Sequence, residues 1–393
     1  MKKCLFCLSP PGGWEHVFLS ALGGRLCTSL ADCRKCNNDF AHSATGKIDD
    51  DLANVFEVVR NCLRIESGRG EPPPTIRRAG RLPNGTEYDL APGMVPQTRA
   101  TKPDFSGATP GGEVTTHACD EDEARRHVDI ARKRGLRPFV KKATQVLMKA
   151  PMTELSLNFD GPKMWRSGAK TAVVGACMIF GNEGARRYID PGLLLAIKLG
   201  KPPIQDFAGW DFSNPWPSTT GFVPHQNSPR AAVSGYEHSL ILSDVGLDWV
   251  AYVTLFGAFR MSVWLGPRSG LPPVGVAINP RATCLERFDV SFEAPQTYRR
   301  RNQNSYKEEY REVWAGMTAG IERALATWHA EAEAEHRRSV IEDLMEQLRR
   351  SDPDLVQQEK IISAWALKIA ALERGEAWEE ELEVSALDGG AHI

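Results

Sequence analysis

Glu15 and His16 stand side by side between two cysteine pairs, Cys4-x2-Cys7 and Cys33-x2-Cys36, and Asn37 follows the second pair directly. Each CxxC can offer two thiolates to one tetrahedral zinc ion, and two such pairs close its coordination sphere. With no open position left, that Zn2+ is expected to be structural, stapling a Gly-rich segment too short to hold a core by itself. Cys27 is a fifth thiol in the stretch and could replace one of the four. Cys62, Cys119, Cys177 and Cys284 have no partner spacing and read as core or surface thiols. The cysteines are structural in kind, whereas a carboxylate, an imidazole and an amide set among them are chemical in kind.

The order C-x2-C, Glu-His, Leu-Gly-Gly, C-x2-C-Asn resembles the HNH endonuclease family, in the branch whose ββα-metal finger is built on a four-cysteine zinc. The resemblance extends over residues 4–65. It implies a treble-clef module in which a zinc-held hairpin and helix present a catalytic His and a divalent ion to a phosphodiester. A neutral imidazole near pH 7 suits the activation of water. A divalent ion neutralises charge on the phosphate and leaving oxygen. By this resemblance His16 is the general base, Glu15 the acidic ligand of a catalytic Mg2+ or Mn2+, and Asn37 the last ligand of that ion. Asn38 and His42 compete with Asn37 for that place. Adjacent on a strand, Glu15 and His16 would face opposite ways, so a turn or bulge is expected to aim both inward. The glycines of LGGRL would let the hairpin approach phosphate, and Arg25 could contact the substrate backbone. The family's middle Asn, which orients the catalytic His, falls at Thr28 by counting back from the second cysteine pair. The implied activity is endonuclease hydrolysis of nucleic acid, DNA by resemblance with RNA left open, in a host-defence or DNA-processing setting. Two other readings stand beside it: a non-catalytic zinc protein that grips nucleic acid, and a zinc-scaffolded protein-interaction module.

The elements that must position these residues follow from periodicity. Leu52, Val55, Phe56, Val59 and Leu63 recur at helical steps, which predicts one helix over 49–65, its start marked by Asp49–Asp51. Asp49 reads as a helix-start acid. The expected layout is α+β: a zinc module (1–67), a Pro/Gly-rich linker or set of hairpins (68–119), a central α+β domain (120–297) and a C-terminal helical region with an acidic tail (298–393). Asn84-Gly85 is the clearest turn. Nine Lys or Arg against Asp129 between Arg125 and Lys149 give a local charge of +8, and Lys141 and Lys142 are the expected phosphate contacts. A strand is expected over 154–160 and a helix over 168–181. Residues 230–265 alternate in short apolar segments and read as strands, which makes His238 a core histidine. Trp165, Trp210, Trp216, Trp249 and Trp264 read as core or interface residues. Two charged helices, over 305–350 and 353–374, could carry a homo-oligomer, and the last fifteen residues are expected to fray.

A net charge of −2 argues neither for nor against a nucleic-acid partner, so that case rests on local charge. No apolar run approaches the ~18–20 residues of a membrane span. The charged start lacks an apolar signal region, and paired CxxC motifs suit a reducing compartment, so the expected location is cytoplasmic.

Overall fold

Residues 3–42 wrap around the four cysteines. The knuckle that carries Cys4 and Cys7 folds back on itself, the Cys4 N–H donating to the Ser9 carbonyl at 2.6 Å, and the Leu5 N–H reaches the Ala31 carbonyl at 2.9 Å. Strand β1 (Glu15–His16) pairs antiparallel with β2 (Cys27–Thr28), Glu15 opposite Thr28 and His16 opposite Cys27. The register is regular, so Glu15 and His16 leave β1 on opposite faces, and the bulge expected to aim both inward is not there. The glycines of the connection serve its own backbone. Gly23 closes a 3-10 turn (Ser20–Leu22) at φ 87°, and a Cβ on Gly24 would lie 1.8 Å from the Phe18 carbonyl oxygen. Helix α1 (Arg34–His42) begins directly after Cys33 and carries Cys36 in its first turn. Knuckle, hairpin and helix in this order form a treble clef.

The computed structural model describes residues 3–42, 48–81, 87–99, 105, 121–136, 144–147, 159, 161–212, 215–228, 231–300, 303–351, 355–373 and 378–381. The chain divides into two compact units, Met1–Pro74 with Ser156–Trp328, and Thr75–Leu155 with His329–Ile393. The helix expected over 49–65 is two, α2 (Ile48–Val55) and α3 (Glu57–Cys62). They part at Phe56, whose fully buried ring lies 4.7 Å from that of Phe259 and 5.2 Å from that of Phe256. Aromatic packing at this point outweighs helical continuity. In the second unit, β3 (Ile76–Arg81), β4 (Glu87–Ala91) and β5 (Val95–Thr98) form an antiparallel sheet. The Asn84-Gly85 turn lies outside the described residues. Helix α4 (Glu121–Lys133) exposes Arg125, Arg126, Arg132 and Lys133, and β6 (Thr144–Leu147) follows.

Helix α5 (Pro162–Tyr188) starts on a proline, whose missing N–H costs nothing in the first turn. Of the strand expected over 154–160 only Phe159 is described. Helix α6 (Pro191–Leu199) is capped by the Asp190 side chain on the Gly192 N–H. A seven-stranded antiparallel sheet then assembles from β7 (Ala208–Trp210), β8 (Ser218–Pro224), β9 (His238–Val245), β10 (Asp248–Leu255), β11 (Phe259–Pro267), β12 (Val274–Ile278) and β13 (Arg287–Glu293), in the order β7-β11-β10-β9-β12-β13-β8. Its strands alternate between two buried faces. Leu240, Leu242, Ala251 and Val253 join the main core, while Ile241, Val250, Tyr252 and Phe288 form a second cluster. Helix α5 packs on β7, β9, β10 and β11, and also against α2 and β1. His238 is fully buried, accepting from the Phe256 N–H on Nδ1 at 3.0 Å and donating from Nε2 to the Leu22 carbonyl at 2.8 Å. It therefore welds the loop of the β1–β2 hairpin to the large sheet.

Helix α7 (Gln303–Ser351) and α8 (Leu355–Glu373) match the two charged helical patterns. Of the last fifteen residues, expected to fray, 379–381 belong to β14 (Trp378–Glu381), paired antiparallel with β6, and the rest lie outside the described residues. Strand pairing satisfies backbone groups that an unpaired tail would leave to water. Among the described residues, no helix is long and apolar enough to cross a membrane.

Candidate functional site

The sulfurs of Cys4, Cys7, Cys33 and Cys36 all lie within 4.8 Å of one another, with Cys7 and Cys33 at 3.4 Å. A tetrahedral thiolate set with ~2.3 Å bonds has sulfur–sulfur edges of roughly 3.8 Å, so donor type and spacing both suit a zinc ion. The knuckle and the start of α1 bring the pairs together. Burial works against ionising Cys7, but Ser9 and the facing Cys36 and Cys33 thiols lower it to about 6; burial pushes Cys4 and Cys36 up. Cys27 stays outside this cluster.

On the inner face of β1, Glu15 is 5% exposed and its Oε1 lies 3.2 Å from the Lys170 ammonium of α5. The same ammonium, 4% exposed, sits 2.5 Å from Asp49 Oδ2 and 5.0 Å from the centre of the Phe40 ring. Asp49, in the first turn of α2, also accepts from the Ser167 hydroxyl at 2.9 Å. It is thus more than a helix-start acid. Burial alone would lower the Lys170 pKa, but Asp49 and Glu15 outweigh that and hold it raised. Asp32, just ahead of Cys33, is 0% exposed and completes the group. Glu15 Oε2 and both Asp32 carboxyl oxygens are buried and meet no other donor group among the described residues, and the Glu15 and Asp32 carboxyls lie close enough to share a proton. Burial raises Asp32 to about 7, with the Glu15 charge adding to it, and burial likewise raises Glu15 against the pull of Lys170.

On the outer face His16 is half-buried, its Nδ1 3.3 Å from the Cys27 sulfur. Burial lowers its pKa, the Gly24 carbonyl opposes this, and the charges of Arg69 and Lys170 lower it further. The residue beside the imidazole is therefore Cys27. Thr28, the position reached by counting, lies across from Glu15, and its hydroxyl accepts from the Leu30 N–H. Asn37, in α1, donates from its amide nitrogen to the Trp14 carbonyl at 3.0 Å. Asn38 is exposed, and the side chain of His42 lies outside the described residues. Arg25 is held within the protein, donating to the Gly23 and Ser67 carbonyls at 3.2 Å each and lying 3.8 Å from Glu66. Lys141 and Lys142 lie outside the described residues.

Sequence reasoning missed Asp32, Lys170 and Arg69. A visible signal existed for Lys170, a single charge inside the apolar run GAKTAVVGACMIFG. Asp32 carried none, because an acid beside a cysteine pair is ordinary in sequence. Comparison with known families, curated proteins and solved structures finds no match to this chain.

Proposed function

We propose that this chain is a metal-dependent phosphodiesterase of HNH type, acting on nucleic acid, with DNA favoured by the resemblance. The observation that supports this is the β1–β2 hairpin beside the four-cysteine cluster, which holds the half-buried His16 imidazole on its outer face. His16 is biased to its neutral form, the form that can take a proton from water. Arg69, exposed and close enough to shift His16, is available to a phosphate oxygen. The resemblance assigns Glu15 and Asn37 to a hard cation such as Mg2+ or Mn2+, and in this structure Glu15 pairs with Lys170 instead. When bound, such an ion neutralises charge on the phosphate. The cysteine-held Zn2+ keeps the hairpin rigid and takes no part in the chemistry.

The test is incubation of the protein and its His16→Ala variant with supercoiled plasmid in Mg2+, Mn2+ or no added ion, with zinc measured alongside. Metal-dependent nicking that falls about 10²–10⁴-fold in the variant at unchanged zinc supports His16 as the base. A second reading has one observation in its favour: the Lys170 ammonium already pairs with Glu15, as it would in a purely zinc-scaffolded binding module. Absence of cleavage by either protein of plasmid and of RNA, with zinc bound, favours that reading.

A further inference from the structure

We propose that Trp14 is a stacking platform for an unpaired base of a single-stranded nucleic acid, on the same face of the hairpin as His16. From Gly13 to Val17 burial alternates residue by residue, with Trp14 and His16 turned outward and Gly13, Glu15 and Val17 turned inward. That is the period of an extended strand, and it sets Trp14 and His16 roughly 7 Å apart along one face, at ~3.3 Å per residue. The facing strand alternates in the same way, Arg25, Cys27 and Ser29 being half-buried, Leu26 and Thr28 buried. Arg69 is exposed and near enough to act on both His16 and Cys27. The outer face thus carries an aromatic ring, an imidazole and a nearby guanidinium.

Trp14 is 72% exposed, more than any other Phe, Tyr or Trp among the described residues, and none of their rings or cations stacks on its indole. Single exposed apolar side chains are common, and Leu247, 83% exposed beside the turn at Gly246, is one. Trp14 differs because its backbone is pinned. The Asn37 amide donates to its carbonyl at 3.0 Å, and the Gly12 and Gly13 N–H groups reach the Asp32 carbonyl at 3.1 and 3.3 Å. A Cβ on Gly13 would lie 3.3 Å from the Arg34 nitrogen, so the segment runs hard against the start of α1. The indole projects from a rigid base, and a ligand stacking on it has little protein left to order. Every base has a π-face, and aromatic rings beside cationic groups hold single strands without reading their sequence. Inside a duplex both faces of a base are covered by its neighbours, so the ring can reach only an unpaired or terminal base. Nucleic acid as the partner rests on the hydrolase reading; the preference for unpaired strands comes from the ring.

The experiment measures binding by fluorescence anisotropy to labelled oligothymidylate, oligouridylate and a DNA duplex of equal length. It uses the zinc-loaded full-length protein with no added divalent ion. Either single strand should bind at least about 10-fold tighter than the duplex. Trp14→Ala should weaken single-strand binding about 5–150-fold, leave duplex binding unchanged, and keep zinc content and melting temperature. Because the ring is uncharged, the slope of affinity against salt should stay that of the parent. Trp14→Phe should retain most of the affinity. Equal single-strand binding by the parent and Trp14→Ala overturns the platform, as does failure of the parent to bind either single strand. Duplex bound as tightly as single strand, and weakened equally by Trp14→Ala, overturns it too. Metal-dependent cleavage with single-strand binding indifferent to Trp14 would leave the hydrolase reading and remove the platform; Trp14-dependent binding without cleavage would do the reverse.

Discussion

The cysteine cluster and the carboxylate cluster meet on the same small hairpin, yet they are built in different ways. The thiols come from residues 4–36, two tight pairs that one zinc ion can gather without help from the rest of the chain. The carboxylates of Glu15 and Asp49 are gathered by Lys170 and Ser167 from α5, more than a hundred residues further on. A metal staple can be local, because thiolates bind tightly enough to order a short segment. A buried charge cluster must be imported, because only a large core provides the walls that exclude water from it.

Removing one staple should have the largest effect. Cys36→Ser is expected to release zinc and unfold residues 3–65, since apparent zinc binding in such sites contributes on the order of 10 kcal/mol to folding. Zinc content and amide hydrogen exchange over the hairpin report it, and a variant that keeps stoichiometric zinc would refute the four-thiolate set. Lys170→Met comes next. It strands Glu15 and Asp49 without their cation, which for a buried pair costs about 3–5 kcal/mol. Zinc should stay bound in this variant while the melting temperature drops; loss of zinc with it would mean the two clusters are one cooperative device.

The smallest effect tests the weld between hairpin loop and sheet. Burial lowers His238 to about 4 from its ordinary 6.5, although the Leu22 carbonyl favours the charged ring. Above about pH 6.5 the ring is neutral folded and unfolded, so it contributes nothing to pH dependence. As pH falls from 6.5 toward 4 the unfolded chain binds the proton first, and stability declines by about 3 kcal/mol at 1.36 kcal/mol per unit. Urea unfolding at pH 7.5 and 4.5 should reveal that loss and its reduction in His238→Gln. An unchanged difference between the two pH values would assign the acid sensitivity to other groups.

Much of the architecture was legible, and the failures are local. The strands over 230–265 and the two C-terminal helices announced themselves through period-2 and period-3.6 patterns. Periodicity carried a single helix through Phe56, because the ring cluster that breaks it draws Phe256 and Phe259 from far along the chain. Counting from the cysteines reached Thr28, whereas antiparallel pairing sets Cys27 across from His16. The glycines of LGGRL looked like room for a ligand, but the turn at Gly23 and the Phe18 carbonyl beside Gly24 require them for its own closure.

By itself the sequence determined which four cysteines could share a metal ion and the succession of strands and helices, because both depend on residue type at short spacing. Tertiary structure decided that Glu15 faces Lys170 while His16 faces Cys27, that Arg25 is held inside, and that Asp32 lies buried beside Glu15. These are electrostatic facts, and a charge is defined by what surrounds it. Its neighbours come from the sheet and from α5, which no local pattern around residue 15 encodes.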